Sequence, residues 1–123
     1  MILGIEHTAI TSPDPKALAG WYIETLGFRV CYESSSTMMV RAQNGYVIEI
    51  TTSEGVRTPQ GLKAPGIRHL AILVNEFDAV YQDLRARGVA MVSEPMDIKG
   101  NKVVFFTDPE GNYLHLLQRE KPL

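Results

Sequence analysis

The chain has 123 residues and one cysteine, Cys31. A lone thiol excludes an internal disulfide and a zinc site built on cysteines. Long apolar runs are also missing, and nothing approaches the roughly 20 residues that span a bilayer as a helix. No basic block or stripe occurs: twelve Lys and Arg stand against fourteen Asp and Glu, a net charge of -2. Nucleic acid and membranes are therefore not the expected partners. Met1–His7 lacks the basic start and long apolar stretch of a signal peptide, so the cytoplasm is the expected compartment. What remains is 45% apolar and 21% charged, the make-up of an ordinary globular chain and not of a disordered tail, a coiled coil or collagen. A chain this long buries roughly two-thirds of its unfolded surface, enough for a core without staples.

The sequence repeats itself. Gly4-Ile5-Glu6-His7-Thr8-Ala9-Ile10 and Gly66-Ile67-Arg68-His69-Leu70-Ala71-Ile72 agree at five of seven positions, at an offset of 62. Both are apolar-rich with β-branched residues and read as strands. A helix pattern follows each. Ser12-Pro13-Asp14-Pro15 supplies a cap-like start, and Leu18, Trp21, Tyr22 and Thr25 fall on one face. In the second half Asn75 is the expected cap, with Phe77, Val80, Tyr81 and Leu84 at helical spacing. Both helices are expected to end at glycine, Gly27 and Gly88. Three strand-like runs follow: about 28–34, 37–43 and 45–52, then about 89–94, 101–106 and 112–119. Asn44-Gly45 is a hairpin dipeptide and Asp108-Pro109-Glu110-Gly111 a turn. The fold class is α+β, with paired βαβββ modules. The expected organisation is one domain, 1–123, with module one at about 1–52, a turn-rich linker at 53–65, and module two at about 66–119. Half the chain is small for independent folding, so the modules are expected to share a sheet or core, or to swap with a second chain.

The three histidines occupy matched places. His7 and His69 are equivalent under the repeat, in the middle of each first strand. His115 is equivalent to Glu49, in each last strand. Strand alternation puts Ile5, His7, Ala9 and Thr11 on one face, and Val47, Glu49 and Thr51 on one face. Should first and last strands be neighbours, each module aims two donors at one surface, and two modules supply four. Imidazole and carboxylate suit a divalent ion such as zinc, nickel, iron, cobalt or manganese. A lone histidine in a strand is more often a hydrogen-bonded core residue. Symmetry across all four positions is what favours a metal site at His7, Glu49, His69 and His115.

These features resemble the vicinal oxygen chelate superfamily, which includes glyoxalase I, methylmalonyl-CoA epimerase, extradiol dioxygenases, fosfomycin-resistance thiol transferases and bleomycin-binding proteins. The likeness spans about residues 3–119. It rests on Ile5-Glu6-His7-Thr8-Ala9-Ile10, Trp21-Tyr22-Ile23-Glu24-Thr25-Leu26-Gly27-Phe28, Ile67-Arg68-His69-Leu70-Ala71-Ile72 and Phe105-Phe106-Thr107-Asp108-Pro109-Glu110-Gly111-Asn112. The resemblance implies a curved mixed sheet in which the first and last strands of each module are neighbours. It carries the metal positions onto His7, Glu49, His69 and His115. The last departs from the commoner glutamate, which leaves a ligand set with one negative charge and Glu49 as the remaining candidate base.

The resemblance implies a metal-dependent lyase or isomerase of glyoxalase I type acting on a small carbonyl or carboxylate chelate. A metal there acts as a Lewis acid at a developing negative charge, with Glu49 as the catalytic, proton-transferring residue. Thr11 stands where glutathione-dependent members often carry arginine, which argues against glutathione. Arg41, Arg57, Lys63 and Lys102 are candidates for an anionic substrate, although each reads more simply as a solvated charge. Met38, Met39, Met91 and Met96 read as gap-fillers of the core, and Cys31 as a buried small residue. Two rival readings stand beside this one. Oxygen chemistry at iron uses two histidines and one carboxylate, but here a fourth donor crowds the ion. A non-catalytic drug- or metabolite-binding protein usually lacks the metal residues. Short members of the superfamily usually dimerise, so a homodimer is expected.

Overall fold

Prolines, a capping aspartate and terminal glycines punctuate the first half, and the computed structural model, which describes residues 1–123, follows them closely. Asp14 caps helix α1 (Pro15–Leu26) by accepting the Ala17 N–H at 3.1 Å, and Pro15 sits in the first turn where an N–H has no intrahelical partner. Gly27, with φ of 75°, closes the helix in the left-handed conformation that glycine adopts without a Cβ penalty. Leu18, Ala19 and Tyr22 are the buried residues of α1, and the Tyr22 ring meets Trp21 and Phe28 edge-on at 5.0 and 5.8 Å between centroids.

The first unit comprises Met1–Arg57. Its sheet contains β1 (Thr8–Ser12), β2 (Arg29–Glu33), β3 (Thr37–Arg41) and β4 (Val47–Thr52), in the order β1-β4-β3-β2. The β1–β4 pair is parallel and the others are antiparallel. Helix α1 packs on β3 and β4, and Met38, Val40, Ile48 and Ile50 are buried there. The opposite face presents Thr37, Met39, Glu49 and Thr51, all half-buried. The β3–β4 hairpin turns at Asn44-Gly45, where Asn44 accepts the Tyr46 N–H at 3.2 Å.

The second unit, Thr58–Leu123, repeats the plan. Its elements are β5 (Leu70–Leu73), helix α2 (Phe77–Ala86), β6 (Met96–Ile98), β7 (Asn101–Thr107) and β8 (Tyr113–Gln118). The sheet order is β5-β8-β7-β6, with β5 and β8 parallel. Phe77 and Leu84 of α2 are buried, as are Val104, Phe106, Leu114 and Leu116 of the sheet. The buried Asp108 organises the β7–β8 turn. Its carboxylate accepts the N–H groups of Glu110 and Asn112 at 2.9 and 3.0 Å and the Asn112 side-chain amide at 2.8 Å. Tyr113 then donates its hydroxyl to the Gln60 carbonyl at 2.9 Å, tying the preceding segment to the start of β8. No helix is long and apolar enough to cross a membrane. The expected βαβββ plan is thus present twice.

Four local expectations are corrected. The run 89–94 is not a regular strand. It makes an isolated bridge from Met91 to Phe106, Ser93 turns its hydroxyl to the Phe105 N–H at 3.0 Å, and β6 begins only after Pro95. Proline has no N–H for a ladder, and the serine side chain takes the place of a backbone acceptor. Asn75 does not cap α2. The cap position is Glu76 without a side-chain bond, and Gln118 of β8 accepts the Phe77 N–H at 2.8 Å instead. Cys31 is exposed, because it sits at an irregularity of β2, an edge strand whose five residues are all exposed. Met96 likewise lies exposed on the edge strand β6.

Candidate metal centre

Parallel pairing of first and last strands sets the four candidate donors. Ala9 is opposite Glu49 in β1–β4, and Ala71 is opposite His115 in β5–β8. His7 and His69 each lie two residues before those alanines. Both histidines immediately precede their strands, which begin at Thr8 and Leu70. The repeat predicts mid-strand positions, but the ladder begins one residue after each, so neither imidazole is held by flanking ladder bonds on both sides.

In the first unit, His7 Nε2 is 3.8 Å from Glu49 Oε1. His7 Nδ1 is 2.8 Å from Glu6 Oε1. An ionised carboxylate only accepts, so the Glu6 contact puts the ring proton on Nδ1 and leaves the Nε2 lone pair facing Glu49. A carboxylate on the far nitrogen of an imidazole is the usual way a metal-binding histidine is oriented.

In the second unit, the His69 and His115 rings are 4.2 Å apart between centroids. Phe105 packs against both, at 5.5 Å from His69 and 5.0 Å from His115. Burial pushes the His115 pKa down to about 4, helped by the nearby His69, Arg68 and Arg119. Burial and Arg68 lower His69 in the same direction. Both imidazoles are therefore neutral near pH 7, the form that ligates a metal. His69 Nδ1 and both ring nitrogens of His115 are buried without a hydrogen-bond partner. Orphaned buried nitrogens are rare in native proteins, and three in one cluster call for an acceptor of lone pairs or a proton donor.

The structure thus brings His7 to Glu49 and His69 to His115. Neither unit by itself holds three or more His, Cys, Asp or Glu side chains placed for one ion. The donor chemistry of each pair fits a borderline divalent ion. Arg68 also belongs to this neighbourhood, with its guanidinium carbon 5.1 Å from the Phe105 ring centroid. Strict strand alternation would send residues 68 and 69 to opposite faces. Residues 68 and 69 precede the ladder, and both reach Phe105.

A family model of the Glyoxalase/Bleomycin resistance protein/Dioxygenase superfamily matches residues 4–116. The chain belongs to this superfamily. Members of the glyoxalase superfamily commonly use divalent metals and are often dimers. A probable lactoylglutathione lyase of Vibrio cholerae serotype O1 is 26% identical over 128 residues, covering 95% of this chain and 91% of its own. Among solved structures, a glyoxalase family protein from Enterococcus faecalis is 30% identical, with a TM-score of 0.76, covering 93% of this chain and 96% of that one. The oxidase ChaP-H2 is 28% identical, with a TM-score of 0.77, covering 97% of this chain and 95% of its own. Lyase and oxidase thus share this superfamily fold, and the fold alone does not choose between them.

Proposed function

We propose that the protein is a metal-dependent, glyoxalase-I-like lyase or isomerase acting on a small oxygen-chelating substrate, a carbonyl or carboxylate compound. His7, Glu49, His69 and His115 would hold the divalent ion. A bound ion would supply Lewis-acid polarisation of substrate oxygens. The observation that carries this reading is the matched pair in each unit, above all the buried, neutral and unpartnered nitrogens of His69 and His115. Glu49 is the one carboxylate of the set. Its half-buried Oε1 is the atom that takes the proton from carbon beside the substrate carbonyl and returns it. Phe105 walls the imidazole pair and excludes water from one side of it. Glu6 holds the His7 ring in register. The protein works as a homodimer in this reading, and sedimentation as a monomer at micromolar concentration argues against that part.

Metal analysis of His69→Ala is the test. The variant should stay folded and lose metal uptake, together with solvent-deuterium exchange at carbon next to a carbonyl, assayed on hydroxyacetone. Unfolding with unchanged metal content would overturn the reading. A second reading, oxygen chemistry at iron, is favoured by the likeness to ChaP-H2 and by the two-histidine, one-carboxylate subset. Oxygen consumption by iron-loaded protein, absent with zinc, would select it. Metal content at background level in protein purified without added metal would favour a non-catalytic binding protein.

A further inference from the structure

The two residues that precede the equivalent histidines differ in charge. Glu6 and Arg68 occupy the same place in the repeat. Glu6 accepts a hydrogen bond from its histidine, His7, at 2.8 Å. Arg68 has donors only, so it does not orient His69 in that way, and His69 Nδ1 remains without a partner. The Arg68 guanidinium instead rests 5.1 Å from the centroid of Phe105, the ring that also touches His69 and His115. No ion pair engages Arg68, and the residue is exposed. Arg119 adds a second positive charge near His115.

Charge counting gives the direction. The His69 and His115 pair brings no carboxylate of its own, and Arg68 adds a positive charge beside it. A stacked guanidinium presents a planar fork of N–H groups, shaped for two oxygens of one carboxylate. We propose that Arg68 is a specificity-determining residue that makes this site select carboxylate-bearing substrates, its guanidinium being held on Phe105 beside His69 and His115. The inference rests on the metal-chelate reading above and names its substrate class. It also explains how a site with Thr11 in place of an arginine on the first strand can still take an anion.

The experiment uses the full chain loaded with Co(II), titrated with glycolate and with its neutral counterpart glycolamide, followed by the cobalt absorption spectrum. Wild type should bind glycolate at least tenfold more tightly than glycolamide, a difference expected from roughly one charge-assisted contact. Arg68→Met keeps the apolar contact with Phe105, and it should take up Co(II) unchanged and lose about tenfold in glycolate affinity. Its glycolamide affinity should not move, which a merely structural role for Arg68 would not predict. Arg68→Lys should recover part of the loss. Normal Co(II) uptake with no change in the glycolate-to-glycolamide ratio overturns the role of Arg68 and leaves the metal reading standing. Inorganic phosphate that displaces glycolate in an Arg68-dependent way, and binds more tightly than it, overturns the carboxylate class. Failure of wild type to take up Co(II) sinks the metal reading and this inference with it.

Discussion

His115 carries two buried ring nitrogens with no partner and a pKa pushed down to about 4 from an ordinary value of 6.5. The folded metal-free protein holds this imidazole neutral, while the unfolded chain protonates it at its ordinary value. Between those two pH values the unfolded state binds more protons. Its contribution to stability is thus fully present above pH 6.5 and is lost as pH falls towards 4. His69 acts in the same direction. Urea midpoints of metal-free protein should therefore fall over that window, and less steeply in His115→Gln. An equal slope in the variant would show that His115 does not titrate this way. Glu6 offers a second test at this scale. Glu6→Gln keeps the shape but weakens the charge on His7 Nδ1, so Co(II) affinity should drop about tenfold, the low end for such outer partners. The melting temperature of the metal-free protein should be unchanged, since Glu6 is exposed. Residue types at the site were legible in the sequence because four donors fell on two repeated positions. Glu6 and Arg68 were not, because their roles depend on which way a side chain turns before its strand begins.

Among the elements, the β7–β8 turn is held by a cluster of side-chain bonds. Three hydrogen bonds converge on the buried carboxylate of Asp108, and His115 lies just beyond, on β8. Asp108→Ala leaves those donors without their acceptor and should destabilise by about 1–3 kcal/mol. Urea unfolding measures this, and a change under about 0.5 kcal/mol, the range of an ordinary surface substitution, would show that water replaces the carboxylate. The turn was visible as Asp-Pro-Glu-Gly, as was the start of α1 from Asp14 and Pro15. The start of α2 was not visible. Its first N–H is satisfied by Gln118, which is distant in sequence, so no local pattern announces it. The second strand of the second half lies later than its composition predicts, for a similar reason. Residues 89–94 have strand-like composition, but Ser93 and Pro95 divert the backbone from regular pairing.

For the molecule as a whole, the question is how many donors act on one ion. Binding to the folded state alone raises stability by mass action, by about 2.7 kcal/mol at a hundredfold excess over Kd. Added Zn(II) or Co(II) should therefore raise the melting temperature of wild type. His7→Ala in the first unit and His69→Ala in the second should each abolish nearly the whole rise when all four donors serve one centre. Retention of about half the rise in each variant would mean that the pairs bind separately. Thermal melts with and without metal decide between these outcomes.

The amino-acid order by itself determined the duplicated βαβββ plan, since terminal glycines, turn residues and apolar periodicity are all local and occur twice. It also determined which side chains have the chemistry of ligands. Only the tertiary structure decided that β1 lies parallel against β4 and β5 against β8, which places His7 near Glu49 and His69 near His115. It alone left the His69 and His115 nitrogens buried without partners and laid Arg68 on Phe105. Pairing and burial join residues tens of positions apart in the chain, and their free energy depends on the packed environment, which no local run of sequence encodes.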